Sequence, residues 1–591
     1  MLDKNFKTQI GLNMSINYQE SLKKAEEWSN NSYFSPESRA EIKALIADKN
    51  EKEINERFYK DLEFGTGGMR SILGQGINRI NTYTIRRATK ALCLEVLAHN
   101  KNKAPKICIS YDSRIMSFEL AQNAAEVMAF YGIKAYIYKR LNPVAMLSFA
   151  VRHFGADAGV MVTASHNPPE YNGYKVFWND GAQVTPPNDK NIINHYYSIT
   201  DFSSIGFTPF DEALKKGMIE WMDVNVEDEY FKATKKSTIN ETLCREQGSK
   251  LKIVYTPIHG AGLIPCKRAL NELGFSDVNV VPEQAEPNGK FPTVKSPNPE
   301  NPSALKLAVD LMTNLKADIA MGSDPDTDRL GVALFHEGVV QYLNGNQIGI
   351  LKLHYILSQR KKLGTLPANS YFVKTIVTTP LQDTIAEKFG VKVYNTLTGF
   401  KWICGKMNEL EKTDPSAKFL FATEESFGYL SHNEARDKDG ITSVSMMAEI
   451  ALFYKLQGLN LFQALDKIYE EYGFSMENLL SLDYFGIEGA DKIKRIMKKF
   501  REYSEKTFVG NDILDFKDYL KDQPGLPKSD VLGFFLKGGN QVYLRPSGTE
   551  PKIKFYIMIQ EKNGSLAEKK ANAKVLTDKI LAYINDVCEK A

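Results

Sequence analysis

Short apolar runs bounded by polar residues recur along most of the chain, and three times they alternate with helical patterns. The first set is KICIS (106–110), KAYIY (134–138) and AGVMVTA (158–164), with FELAQNAAEVMAFY between the first two. Ser117 is predicted to cap that helix and Gly132 to close it. Strand, helix and strand within about 30 residues make a βαβ unit with parallel strands. The second set is LKIVY (251–255), a helix near 263–273, VNVV (278–281) and ADIAMG (317–322). The third is SYFVKTIV (370–377), a helix near 380–389 ended by Gly390, VKVYN (391–395) and KFLFAT (418–423). Identity among the sets is slight, so the architecture repeats without a sequence repeat. Residues 1–60 differ. SPESRAEIKALIADKNEKEINERFYKDL has capping residues, good helix formers and no glycine, and is predicted to pack on the outside. After about 475, QVYLRPS, KIKFYIMIQ and a helical pattern from about 564 predict a small α+β domain.

The 591 residues are too many for one core, and the usual domain size gives roughly three to five domains. The fold class is α/β: three tandem α/β domains at 61–215, 216–338 and 339–475, with mixed, largely parallel sheets. A C-terminal α+β domain follows at 476–591, and the helical extension precedes them at 1–60. Hydrophobic content of 43% and charged content of 25% are those of a soluble globular protein. Seventy-five basic residues nearly balance 72 acidic ones, for a net charge of +3. That argues against a nucleic-acid partner and leaves any anionic ligand to local positive groups. Six cysteines form no C-x-x-C pair and read as single reduced residues. No stretch approaches the roughly 20 apolar residues of a membrane span. MLDKNFKTQIGLN lacks the apolar core of a signal peptide. A cytoplasmic location with no membrane partner is expected.

Ligands of open parallel sheets sit outside the carboxyl ends of the strands, so the loops that follow strands carry the information. In TASHNPPEYNGYK (163–175), Ser165 follows a strand directly, His166 and Asn167 can turn donors toward the same point, and Lys175 lies ten residues on. Taken alone, Ser and Asn before Pro simply end a strand, and no G-x-S-x-G elbow supports a serine hydrolase. In GSDPDTDRLG (322–331), Asp324, Asp326 and Asp328 alternate just after a strand. Three such charges repel unless a cation joins them, and carboxylates suit Mg²⁺ or Ca²⁺. A calcium EF-hand fails on position: Arg329 stands where glycine makes the turn and Phe335 where the bidentate Glu belongs. The bland alternative is an acidic solvent-facing turn, but apolar strands on both sides raise the cost of unpaired carboxylates.

In FATEESFGY (421–429), Glu424 and Ser426 suit a sugar, and an acidic helix cap explains them almost as well. DKDG (437–440) offers Lys438. In LRPSGTEPKIKFY (544–556), Arg545 with the tight loop Ser547, Gly548 and Thr549 suits a phosphate, though by itself a hairpin turn explains it better. EFGTGGMRSILGQG (63–76) is not a dinucleotide fingerprint, since Arg70 stands where the third glycine would fall. Its glycines permit close backbone approach, and Arg70 could meet an anion.

Together and in this order, TASHNP, NGYK, DPDTDR, EESFG and RPSGTEP resemble the α-D-phosphohexomutase superfamily, whose members include phosphoglucomutases and phosphomannomutases. The match covers nearly the whole chain from about residue 60. EFGTGGMR, PEQAEPNGKFPTVKSPNPE and TLTGFKW look like the long branch with phosphopentomutase and glucose-1,6-bisphosphate synthase activities. The resemblance implies four domains around a central cleft, each giving one loop. It implies that Ser165 carries the phosphoryl group and that Asp324, Asp326 and Asp328 hold Mg²⁺, with the phosphate on Ser165 as a further ligand. Glu424 and Ser426, with Gly399 and Lys401 of TLTGFKW, would bind the sugar. Arg545, Ser547, Gly548 and Thr549 would hold the phosphate that is not reacting. Arg70, His166, Lys175, Arg329 and Lys438 would be catalytic. Lys438 is expected to act as base, since a desolvated lysine can have its pKa lowered toward neutrality.

The activity this implies is interconversion of glucose 1-phosphate and glucose 6-phosphate, with glucose 1,6-bisphosphate as intermediate and activator. EESFG, with Ser426 retained, favours hexose, while the framing motifs favour the pentose-active branch. A phosphopentomutase, a phosphomannomutase and a bisphosphate synthase are the alternatives of the same class. A catalytically silent sugar-phosphate sensor is the alternative of another class, and it would have no need of the serine. The expected partner is a sugar monophosphate, and the expected state a monomer or weak dimer.

Overall fold

The structure, a computed structural model, describes residues 18–65, 67–100, 104–484, 486–521, 523–547 and 552–591. Its strands form four sheets. The first holds β1 (Gly68–Ile72), β2 (Lys106–Tyr111), β3 (Lys134–Tyr138), β4 (Ala158–Val162), β5 (Tyr171–Trp178) and β6 (Ile219–Met222) in the order β1-β5-β4-β2-β3-β6. The second holds β7 (Ile253–Thr256), β8 (Val278–Val280), β9 (Ile319–Gly322), β10 (Gly331–His336) and β11 (Val339–Leu343) in the order β11-β10-β9-β7-β8. The third holds β12 (Ser370–Thr375), β13 (Lys392–Thr396), β14 (Lys418–Thr423) and β15 (Tyr429–Leu430) in the order β13-β12-β14-β15.

These three sheets share one plan. Two parallel neighbours flank a central strand, β2, β7 or β12, and the chain then turns back antiparallel. The return pairs are β4–β5, β9–β10 and β14–β15. Ser165, the aspartate triad and Glu424 all lie in these return loops. Each loop carries one non-glycine residue in the left-handed region: Ser165 at φ 51, Thr327 at φ 55 and Phe427 at φ 62. Such conformations cost energy and persist where surrounding bonds fix them.

The fourth sheet is antiparallel, with β16 (Phe474–Asp483), β17 (Thr507–Phe508), β18 (Asn511–Asp518), β19 (Leu532–Leu536), β20 (Gln541–Pro546) and β21 (Lys552–Glu561). The helix Leu566–Glu589, opened by a Ser565–Glu568 capping box, packs against it. Before the first sheet, the helices Pro36–Ala47 and Glu51–Phe58 are capped by Ser35 and Asn50. Trp28, Phe34, Ile42, Ile54 and Phe58 gather around Tyr83 of the first domain.

Some expectations need correction. β6 belongs to the first sheet, so that unit runs past 215 to at least Met222. β11 belongs to the second sheet, so that unit runs past 338. β16 starts at Phe474, just before the expected boundary at 476. β6 is a crossover strand that joins β3 after a long connection, β11 is the hairpin partner of β10, and β16 pairs with the distant β21, so none of the three boundaries is marked by a break in the local pattern. Ser117 does not cap its helix. It is the first residue of Ser117–Phe130, and its hydroxyl donates to Asp112 Oδ1 at 2.8 Å.

Candidate active site

β4 is buried at all five positions, and the chain leaves it as Thr163-Ala164-Ser165. Ser165 is 3% exposed. Its Oγ donates to Asp324 Oδ2 at 3.0 Å and lies 3.1 Å from His166 Nδ1. Arg114, absent from the sequence expectations, holds this loop from beneath. Its guanidinium donates to the carbonyls of Ser165 at 2.6 Å, Pro168 at 2.9 Å and Tyr171 at 3.0 Å, and to that of Asn167. It also lies 5.0 Å from the Phe291 ring, in the segment between β8 and β9. Asp112 accepts from the Arg114 backbone N–H and from the hydroxyls of Thr163 and Ser117. Asp112 and Arg114 follow β2 as Ser165 follows β4. The readable signal was a charged pair just after a buried strand.

The second return loop brings three buried carboxylates together. Ligand oxygens of Asp324, Asp326 and Asp328 all lie within 4.8 Å of one another. Asp324 Oδ1 accepts the N–H groups of Asp328 and Arg329, each at 3.0 Å. Asp326 Oδ1 and Asp328 Oδ1 are buried without a hydrogen-bond partner among the described residues. Burial, then Asp328 and Asp326, push the Asp324 carboxyl well up. Burial pushes Asp328 the same way, but Lys438, Lys175 and Arg329 outweigh it and hold it below the usual range. Oxygen-only donors with two unsatisfied oxygens fit a hard divalent cation. These residues could hold a metal ion.

Cations surround the triad. Lys175 Nζ lies 2.7 Å from Asp326 Oδ2 and 3.8 Å from Asp328 Oδ2. Lys438 Nζ lies 3.1 Å from Asp328 Oδ2 and 3.2 Å from Asp437 Oδ1. Arg329 pairs with Glu300. Arg70 Nη1 donates to Asn167 Oδ1 at 2.8 Å. β1 brings Arg70 there by pairing with β5, Gly68 opposite Lys175. A Cβ at Gly68 would stand 1.9 Å from the Tyr174 carbonyl oxygen, at φ 131, so only glycine fits. The close approach the glycines were expected to permit is thus to the chain's own strand.

The expected lowering of Lys438's pKa does not occur. Burial does push it down, but Asp328, Asp437 and Glu424 hold it well above its ordinary value. These carboxylates favour the ammonium form of Lys438 and make it their charge partner. Burial, aided by Arg329 and Arg70, keeps His166 well below its ordinary value, so it is neutral.

In the third loop, Glu424 Oε1 accepts the Gly399 N–H at 2.9 Å. Burial pushes the Glu424 carboxyl up to about 7, Lys438 opposing and Glu425 adding to it. Gly399 therefore meets Glu424 through its backbone. Lys401 opens the helix Phe400–Thr413, where burial lowers its pKa and Asp189 opposes. Ser426 is half-buried between Glu425 and Phe427. Glu425, also missing from the expectations, accepts from Thr375 Oγ1 at 3.0 Å, and burial raises it against the pull of Lys554 and Arg545. In the fourth sheet Arg545 stands opposite Lys554, and the Ser547 N–H donates to the Lys552 carbonyl at 2.8 Å. Gly548 and Thr549 lie outside the described residues.

One nucleophile-sized hydroxyl, a carboxylate triad and four cations thus share one point. A buried carboxyl and a basic strand pair flank it. That is a set of groups for holding and moving a phosphoryl group on a polyol.

Comparison with known proteins agrees. The phosphoglucomutase/phosphomannomutase alpha/beta/alpha domain models I, II and III match residues 61–202, 228–337 and 344–472. A phosphoglucomutase of Staphylococcus saprophyticus is 34% identical over 534 residues, covering 88% of this chain and 95% of its own. One from Staphylococcus aureus is 34% identical over 548 residues, covering 91% and 96%. Among solved structures, the exocytosis-sensitive phosphoprotein pp63/parafusin, a phosphoglucomutase from Paramecium, superposes with a TM-score of 0.67 at 17% identity, covering 90% of this chain and 96% of its own. A phosphoglucomutase/phosphomannomutase family protein from Burkholderia thailandensis gives 0.61 at 18% identity, covering 88% and 97%. The two structures carry the fold alone.

Proposed function

The chain belongs to the phosphoglucomutase/phosphomannomutase family of isomerases, and we propose that it interconverts glucose 1-phosphate and glucose 6-phosphate through a phosphorylated Ser165. The observation that carries this reading is the 3.0 Å bond between Ser165 and Asp324, which joins the first two loops at one point.

In the first half-reaction the P–Oγ bond of phosphoserine breaks and a bond forms to the free hydroxyl of the sugar monophosphate. The hydroxyl gives up one proton, and Oγ gains one. The product, glucose 1,6-bisphosphate, then turns over, and Ser165 takes back the other phosphoryl group. On that return step Oγ loses its proton, and neutral His166, with Nδ1 at 3.1 Å, is the acceptor beside it. Such transfers pass through a loose transition state, so positioning and charge neutralisation do most of the catalysis. Lys175, Arg329, Lys438 and Arg70 supply the positive charge.

Asp324, Asp326 and Asp328 would hold Mg²⁺, which when bound acts as a Lewis acid on the transferring group. Glu424 and Ser426 would read sugar hydroxyls, with Gly399 and Lys401 shaping that side. Arg545 and Ser547, with Gly548 and Thr549, would clamp the distant phosphate. A clamp and a hydroxyl reader facing each other accept the bisphosphate in both orientations. Six free, buried cysteines support a reducing, cytoplasmic setting.

The test is the Ser165→Ala variant, expected to lose mutase turnover by about 10⁴-fold or more, as loss of a nucleophile does elsewhere. Intact-mass analysis should show a phosphoryl adduct on the wild type that substrate removes and the variant lacks. Full activity in the variant would end the proposal. Comparing kcat/KM on glucose, mannose and ribose 1-phosphates then ranks the sugars.

A further inference from the structure

Behind the return loops lies a cavity of about 450 Å³ that the reaction does not use. It sits where three helices meet: Val224–Thr234, which follows the first sheet, Leu263–Glu272 of the second domain and Gly440–Lys455 of the third. Ligand sites favour such domain junctions, and this volume falls within the roughly 300–1,000 Å³ of small-molecule pockets.

Its walls are of three kinds. Phe231, Ala269, Leu273 and Ile441 give an apolar wall. Thr234, Ser237, Thr238, Thr442 and Ser445 give a wall of hydroxyls. The Thr442 hydroxyl is buried and has no hydrogen-bond partner among the described residues. Lys235 and Arg245 stand on the lining as well, and both lean on the single carboxylate of Glu241, at 2.9 Å and 2.6 Å. On the other side Arg268 is shared by Glu272, at 2.6 Å, and Asp228, at 2.7 Å, so that side carries no excess positive charge. The excess positive charge is local to Lys235 and Arg245, two cations that share one anion.

We propose that this cavity binds a small phosphate monoester carried on a hydroxylated ring, such as a nucleoside monophosphate or a pentose phosphate. The ring would lie on Phe231 and Ile441, its hydroxyls would meet those of Thr442 and Ser445, and the phosphate would take the free charge of Lys235 and Arg245. The site is coupled to the reaction by a short path. The helix that supplies Ile441 and Thr442 starts two residues after Lys438. Its cap, Asp439, accepts from the N–H groups of Ile441 and Thr442 and from Tyr230 Oη at 2.6 Å. Tyr230 in turn belongs to the helix that supplies Phe231. An occupant pressing on both helices acts on the segment that sets Lys438 against Asp328.

The experiment is isothermal calorimetry on the full chain with AMP, ribose 5-phosphate and inorganic phosphate, two cavity variants separating heat at this cavity from heat at the active site. Arg245→Glu removes the charge, and Ala269→Phe fills the apolar side. AMP or ribose 5-phosphate should bind the wild type at least tenfold more tightly than either variant, and the tighter of the two names the source. The same ligand should change wild-type kcat and leave both variants' kcat unmoved. Three results would overturn the proposal: neither ester binds, inorganic phosphate binds as well as the esters, or both variants bind like the wild type. Binding without any change in kcat would remove the coupling to Lys438. Because binding is read as heat, the site survives or fails independently of the mutase assignment.

Discussion

Around Ser165 the three α/β domains meet through directed polar bonds, whereas the C-terminal sheet meets the third domain mainly through apolar side chains. In the first region Ser165 bonds Asp324, Lys175 bonds Asp326, and the Val144 N–H donates to the Asp326 carbonyl at 3.1 Å. The Leu330 N–H reaches the Phe427 carbonyl at 3.2 Å, and the Gly440 N–H reaches that of Thr327 at 3.0 Å. In the second region Ile376, Val377 and Leu397 of the third domain pack on Tyr519, Val531, Tyr543, Tyr556 and Met558 of the fourth. Thr379 Oγ1 and Ser475 Oγ, 2.9 Å apart, add a polar contact. Hydrogen bonds have direction and fix distances. Apolar contact is non-directional and tolerates sliding. On the proposed function, this difference assigns the chemistry to the first region and substrate capture to the second. Substitutions in the first should lower kcat, and those in the second should raise KM.

The sharpest way to break this comparison is Asp326→Asn. It removes a carboxylate that Lys175 pairs with and that would ligate the metal. Turnover should fall about 10³-fold, in keeping with the several kcal/mol that a metal clamp supplies. Chelation of the wild type should cause a similar loss that added Mg²⁺ restores. Next comes Arg114→Ala, which leaves the Ser165 loop without its donors. A displacement of about 1 Å at a nucleophile costs about 10²-fold in kcat. KM should stay near wild type, and added guanidinium should restore part of kcat. If KM rose and kcat held, the division between the two regions would fail. Arg545→Gln tests the other side. Loss of one charged hydrogen bond should raise KM about tenfold with kcat nearly intact.

What could be read from the sequence follows the same division. The strands before each loop were visible, because β4, β9 and β14 are dense apolar runs and strands buried on both faces show that pattern. Of the return strands, β10 was visible as the apolar run after the triad, while β5 and the two-residue β15 were not. β5, whose YNGYKVFW carries Lys175, mixes polar and glycine positions, since a Cβ at Gly173 would stand 2.6 Å from the carbonyl oxygens of both Met69 and Thr163. Ser165 and the triad stood out because polar residues follow apolar runs directly, and the roles expected of them came with the family resemblance. Arg114 carried a signal, its place with Asp112 just after a buried strand, but the partners of Arg114, Glu425 and Glu300 lie far away in sequence, and one-dimensional spacing carries no such pairing. Lys438 was read with the wrong sign. Desolvation is a property of one residue, while the three carboxylates that outweigh it come from two different domains.

The smallest effect is a pH dependence at the seam between the two regions. Glu424 belongs to the third loop, and the substrate it would read also touches the fourth. Burial raises its carboxyl from 4.5 to about 7 in the folded chain. The sign follows directly. Between those two values the folded protein holds a proton that the unfolded chain has released, so this group favours folding at the low end of the window and opposes it above about 7. As an acceptor of sugar hydroxyls it works best as carboxylate. KM for glucose 1-phosphate should therefore fall a few-fold as pH rises through about 7. The substrate's own phosphate titrates near pH 6 and contributes to the same profile. Glu424→Gln separates the two, because it removes only the protein's share: the step near 7 should vanish while that near 6 stays. A variant profile that superposes on the wild type would assign the whole pH response to the ligand and leave Glu424 outside the sugar contact.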